Sequence, residues 1–236
     1  MTPQLASLRG LTALRVSYSF WSTDYDPYGG RPGIPQIVSE LVERNSPSLR
    51  DVELHGDADW SAPTPRISSL TVVDAHHVDA LPAIITTNNL VRLKLCVMGG
   101  AIDVALLAMA AAPTACPLLE ELKLVGDISP TVDCDSLRHV GAFLRNKSRL
   151  RMLHVVFYSA RTMNQAPLLD AIRALPSIEV LGFELSRSRF DRTDMLYLQD
   201  VVPVGLRALL LYTNICDIDV SMPEVIDVVR TSVRYC

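Results

Sequence analysis

Eight times along the chain an apolar residue is followed by two variable residues, a second apolar residue, one variable residue and a third apolar residue. The copies are Leu11-Leu14-Val16, Leu49-Val52-Leu54, Ile67-Leu70-Val72, Leu90-Leu93-Leu95, Leu119-Leu122-Leu124, Leu150-Leu153-Val155, Ile178-Leu181-Phe183 and Leu206-Leu209-Leu211. Leu, Ile, Val and Phe are frequent enough that chance alone supplies about seven such matches, so the count by itself decides nothing. The spacing does: from Leu90 onward successive copies lie 29, 31, 28 and 28 residues apart. The flanks agree with it. In five copies a charged residue follows the first apolar position at once, as in PSLRDVEL, PLLEELKL, SRLRMLHV, PSIEVLGF and VGLRALLL.

Between the copies the pattern changes to a helical one. Ile37, Val38, Leu41 and Val42 share one face of a helix, as do Leu137, Val140, Phe143 and Leu144, and Leu168, Leu169, Ile172 and Leu175. Val225, Ile226, Val228 and Val229 predict a C-terminal helix, and Ile102 to Ala112 is Ala-rich and apolar nearly all round. Each interval closes on Pro, Asn or Ser, in RNSP, AAAP, RNKS and ALP, which end helices. Strand then helix, repeated, predicts parallel strands joined by crossovers. One such unit cannot bury its own apolar faces, so each needs a neighbour. The expectation is an α/β fold, a leucine-rich-repeat-like solenoid or horseshoe of about eight degenerate repeats, with a parallel concave sheet and convex helices. It forms one domain over residues 1–236. Residues 1–89 are the irregular N-terminal repeats, at intervals of 38, 18 and 23 residues with a short helix around Val78 to Ile85. Residues 90–236 hold the more regular repeats and the C-terminal helix.

Units such as PLLEELKLVGD and PSIEVLGFEL, joined by amphipathic helices of uneven length, resemble the divergent leucine-rich repeats of fungal F-box proteins. The resemblance covers residues 8 to 214 and lies in the pattern. It implies a non-catalytic protein-interaction scaffold, the substrate-recognition part of an F-box type ubiquitin-ligase receptor. The F-box itself, which would dock the ligase adaptor, is absent from these residues, and Leu8, Leu11 and Leu14 already belong to a packed pattern, as in a fragment of a longer chain. Only Asn214 stands at the turn position where such repeats carry Asn or Cys, with Asp57 and Asp127 as substitutes. A repeat-protein inhibitor or regulatory scaffold unrelated to ubiquitin is the alternative. An α/β enzyme of the doubly wound kind, with strand order reversed at a binding crevice, is a third reading.

In each strand the variable residues flanking the second apolar position point out of the core. They predict a binding strip that is polar at first, with Arg92, Lys94, Glu121 and Lys123, and apolar later, with Met152, His154, Val156, Val180, Leu210 and Tyr212. An apolar patch with a polar border suits a protein partner. The alternatives are that a missing C-terminal segment covers these positions, or that the register slips by one residue near the end. The segment 18–35 holds Tyr18, Phe20, Trp21, Tyr25 and Tyr28 among Gly and Pro. It reads either as a recognition loop anchored by Trp21 or as a cap on the first repeat.

Composition removes several classes. With 22 Lys+Arg against 26 Asp+Glu and no basic block, nucleic acid is not expected as a partner. Five cysteines without a CxxC pair read as reduced packing thiols. No secretory leader or membrane-length apolar run is seen, which predicts a cytoplasmic or nuclear protein with no membrane partner. The Asp-x-Asp pairs Asp24/Asp26, Asp57/Asp59, Asp133/Asp135 and Asp217/Asp219 fall where Asp turns or caps the chain. His76 and His77 lack further ligands at metal spacing. No GxSxG, GxxxxGK[ST] or GxGxxG motif occurs, so no metal, cofactor or catalysis is expected.

Overall fold

A computed structural model of the chain describes residues 8–17, 34–56, 64, 66–75, 81–86, 89–97, 101–126, 136–157, 166–185, 202–203 and 205–213. Eight strands run in the order of the sequence through one open sheet, and every neighbouring pair is parallel. They are β1 (Ala13–Ser17), β2 (Asp51–His55), β3 (Ser69–Ala75), β4 (Arg92–Val97), β5 (Glu121–Gly126), β6 (Met152–Phe157), β7 (Val180–Leu185) and β8 (Ala208–Thr213). Among the described residues five helices lie between them: α1 (Ile34–Asn45), α2 (Leu81–Thr86), α3 (Ala101–Ala111), α4 (Ser136–Leu144) and α5 (Ala166–Arg173). Strand order nowhere reverses among the described strands, so the crevice of a doubly wound sheet does not arise. The arrangement is compatible with a solenoid.

Every strand begins two residues after the first apolar position of its copy. The second positions are register partners across the sheet, from Leu14 and Val52 through Leu70, Leu93, Leu122 and Leu153 to Leu181 and Leu209. The third positions form a parallel row from Val16 to Leu211 in the same way. The uneven early intervals therefore leave no trace in the register at these positions. Only β3 carries an irregularity, between Val73 and Ala75, where Asp74 takes a positive φ of 56°. Asp tolerates that conformation better than most side chains.

A backbone ladder locks the register. The carbonyl of the residue after each first apolar position accepts two N–H groups from the next copy, in seven consecutive steps. It starts at Thr12, which accepts from Arg50 at 2.9 Å and Asp51 at 3.2 Å, and ends at Glu179, which accepts from Arg207 at 2.7 Å and Ala208 at 3.1 Å. The buried apolar positions of the copies and the inner faces of the helices form one contiguous core. Successive helices pack closely: a side chain on Gly141 of α4 would meet the Pro167 carbonyl of α5 at 2.6 Å.

Three buried side chains at the ends of helices hook their unit to the preceding one. Asn45 accepts from the Leu11 N–H at 3.0 Å and donates to the Leu8 carbonyl at 3.3 Å. The Cys116 thiol donates to the Ile85 carbonyl at 3.4 Å, and the Lys147 ammonium donates to the Pro113 carbonyl at 3.0 Å. Lys147 is wholly buried, with its nitrogen 3.9 Å from the centre of the Phe143 ring. A buried charge needs such partners, because desolvation penalises it. Burial pulls the Lys147 pKa down to about 8, partly opposed by Cys116, and pushes the Cys116 thiol up to about 11, partly opposed by Lys147.

Candidate functional site

The sheet face opposite the core carries two rows of side chains, one strand apart at each step. The first runs Ala13, Asp51, Ser69, Arg92, Glu121, Met152, Val180, Ala208, and the second Arg15, Glu53, Thr71, Lys94, Lys123, His154, Gly182, Leu210. Strand alternation puts them there, since the residues between them belong to the core. The structure thus brings Arg92, Lys94, Glu121 and Lys123 together on β4 and β5, beside Met152 and His154 on β6, Val180 on β7 and Leu210 on β8.

The early part of this face is laced with ion pairs. Arg15 meets Glu53 at 2.7 Å, and Glu53 also meets the His55 ring at 3.2 Å. Arg92 approaches Asp51 at 4.0 Å, and Lys94 meets Glu121 at 2.9 Å. These groups are partly exposed, so each pair contributes under about 1 kcal/mol. Lys123 has no carboxylate partner among the described residues. It lies close enough to Cys96 to act on that thiol, whose pKa burial raises and Lys123 lowers.

The later part is apolar. Leu210 is 44% exposed, and Met152, Val180 and Ala208 are half-buried. Two residues expected on the open strip are closed instead: His154 is 9% exposed and Val156 2%. His154 lies against Gly182 of the next strand, where an added side chain would meet the imidazole at 3.0 Å, so the missing side chain makes room for the ring. Burial first and Lys123 second hold its pKa below the usual imidazole range. Val156 is buried although it stands outside the contiguous core, on a strand whose apolar run is covered from Leu153 to Phe157 on both faces. Tyr212 joins β8 through its backbone, as partner of Glu184, and its side chain lies outside the described residues. So do Trp21, most of the loop 18–35, the C-terminal helix, both residues of the His pair and all four Asp-x-Asp pairs.

A second feature escaped the sequence reading. The charged residues after the first apolar positions alternate in sign over the last four copies as Glu120, Arg151, Glu179 and Arg207. Glu179 is held from both sides, by Arg151 at 2.7 Å and Arg207 at 3.3 Å. Together with Arg149, Ser148, Ser177 and Gly205 they line an open groove of about 630 Å³. Its signal in the sequence was the charged flank itself, read across copies instead of within one.

Among the described residues no group of three His, Cys, Asp or Glu side chains could hold a metal ion, and no helix is long and apolar enough to cross a membrane. No protein-family model, curated protein or solved structure matches the chain.

Proposed function

We propose that the chain is a non-catalytic protein-interaction scaffold, a leucine-rich-repeat-like solenoid whose outward sheet face, polar over β1 to β5 and apolar over β6 to β8, receives a protein partner. The observation that carries this reading is the matching register of the second and third apolar positions across eight sequential parallel strands. It aligns outward side chains into continuous rows, while the described helices pack on the other face. A row of adjustable side chains on a rigid sheet is a means of recognition, and an exposed Leu210 beside half-buried Val180 and Met152 suits the apolar centre of an interface.

By its resemblance to fungal F-box proteins, the scaffold serves as the substrate-recognition part of a ubiquitin-ligase receptor. An F-box reading frame upstream of Met1 in the parent gene supports that role, and its absence removes it. The scaffold itself is tested by affinity capture with Val180→Asp and Leu210→Asp. The expected result is a melting curve matching the parent protein, with the partner lost. Unfolding of both variants, or capture unchanged in both, overturns the reading.

A further inference from the structure

Among the described residues of β1 to β5 the cations of the outward rows are neutralised pair by pair except at one place. Of its cations on β1 to β5, Arg15, Arg92 and Lys94 each have a carboxylate within 4.0 Å. Lys123 has none among the described residues. Register sets Lys123 directly beside Lys94, two lysines at matching positions of adjacent strands, with the buried His154 ring at the same position one strand further on. Neighbouring strands are about 4.8 Å apart, and like charges directly opposite each other destabilise a sheet. Glu121, already paired with Lys94, supplies one negative charge, and Asp74 acts on Cys96 from the bulge in β3. The Lys123 ammonium is thus the one cation of these rows, among the described residues, without a carboxylate within 4.0 Å, on a chain whose formal charge is −4.

We propose that Lys94 and Lys123 form a subsite for an acidic peptide segment, whose carboxylates pair with Lys123 while the following apolar residues lie over Val180 and Leu210. This rests on the scaffold reading above and adds the chemistry of the partner. A positive spot on an acidic protein selects and orients a partner more than it adds raw affinity. The same chemistry fits a nucleic acid less well, since the two lysines span only two strands and ion-paired residues flank them.

The test uses the full 236-residue chain and fluorescein-labelled octaglutamate, read by fluorescence anisotropy at low salt. Octaglutamate is expected to bind, about fivefold more weakly to Lys123→Gln and about tenfold or more to Lys123→Glu. Salt near 0.5 M is expected to abolish binding, because the Debye length falls to about 4 Å. Thr71→Asp, which adds a negative charge to the row beside Lys94 without touching Lys123, should weaken binding as well, and Arg145→Gln, at an exposed site after α4, should not. Melting curves establish that each variant is folded. Equal binding to the parent protein and folded Lys123→Glu, equal binding of octalysine, or preference for a single-stranded oligonucleotide overturns the subsite. A partner lost with Leu210→Asp yet kept by Lys123→Glu overturns the subsite alone. Octaglutamate lost with Lys123→Glu, with partner capture insensitive to Val180→Asp and Leu210→Asp, overturns the scaffold reading alone.

Discussion

Leu122 and Lys123 are adjacent in the chain and stand on opposite faces of the sheet, and the two faces obey different rules. In the inner rows the second and third positions of all eight copies are Leu, Val or Phe, and those from Val52 to Leu181 fill one core between strand and helix layer. On the outer face the matching row passes through Arg, Glu, Thr, Lys, Lys, His, Gly and Leu. Uniformity on one side is what a stack of units needs to fold. Variety on the other is what recognition can use, since a change there leaves register and core intact.

The largest separation of the faces comes from Leu122→Ala. Leu122 is fully buried, and its truncation is expected to cost about 3 kcal/mol in urea or guanidinium unfolding. A loss under about 1 kcal/mol would mean that the core rows are not what holds adjacent units together.

Lys147 is the inner face's exception, and its effect is next in size. Lys147→Ala removes the ammonium bound to the Pro113 carbonyl and leaves a void beside Phe143, an expected loss of about 2 kcal/mol. Its titration sharpens the point. With a folded pKa of about 8 against 10.5 in the unfolded chain, the native state holds fewer protons in that window, so stability rises as pH rises through it. Cys116 acts oppositely: its folded pKa of about 11 against 9 makes stability fall between those values. The expected profile of unfolding free energy therefore rises by up to about 1 kcal/mol from pH 8 to 9 and then flattens. Lys147→Met should remove the rise, and Cys116→Ala should extend it toward pH 10.5.

The strands were legible from the sequence because three apolar positions per copy suffice to set strand start, register and buried face. This held even where the intervals were 38, 18 and 23 residues, since the excess length is accommodated between strands. Helices α1, α4 and α5 were legible from their apolar periodicity and α3 from an Ala-rich run apolar nearly all round, and the short α2 overlaps Val78 to Ile85 and ends one residue beyond it. The closed positions His154 and Val156 were not. Alternation tells which way a residue points, but whether it is covered depends on its neighbour across the strand, and here the neighbour of His154 is a glycine. Lys147 was hidden for a similar reason: a lysine in RNKS reads as exposed, and its partner carbonyl lies 34 residues away in the preceding unit.

A smaller effect is expected at Asn45, which joins the first two units as Lys147 joins later ones. Asn45→Ala leaves the Leu11 N–H and the Leu8 and Leu41 carbonyls without their amide partner. The expected loss is about 1–2 kcal/mol, and amide hydrogen exchange should accelerate in β1 well before β5. Equal acceleration across the sheet would mean that the first unit does not open separately.

The smallest effect belongs to the residue just before Leu122. Glu121 points outward and meets Lys94 at 2.9 Å, with both side chains about one third exposed. Glu121→Gln keeps the size and removes the charge. Coulomb attraction at such exposure is screened by water and salt, and holding two long side chains in one geometry costs entropy, so the expected change is under about 0.5 kcal/mol. It should vanish in a double-mutant cycle with Lys94→Gln measured in 1 M salt. A coupling above about 1.5 kcal/mol would show that the outer rows help hold the sheet, and the division of labour between the faces would then fail at its clearest point, two adjacent residues of β5.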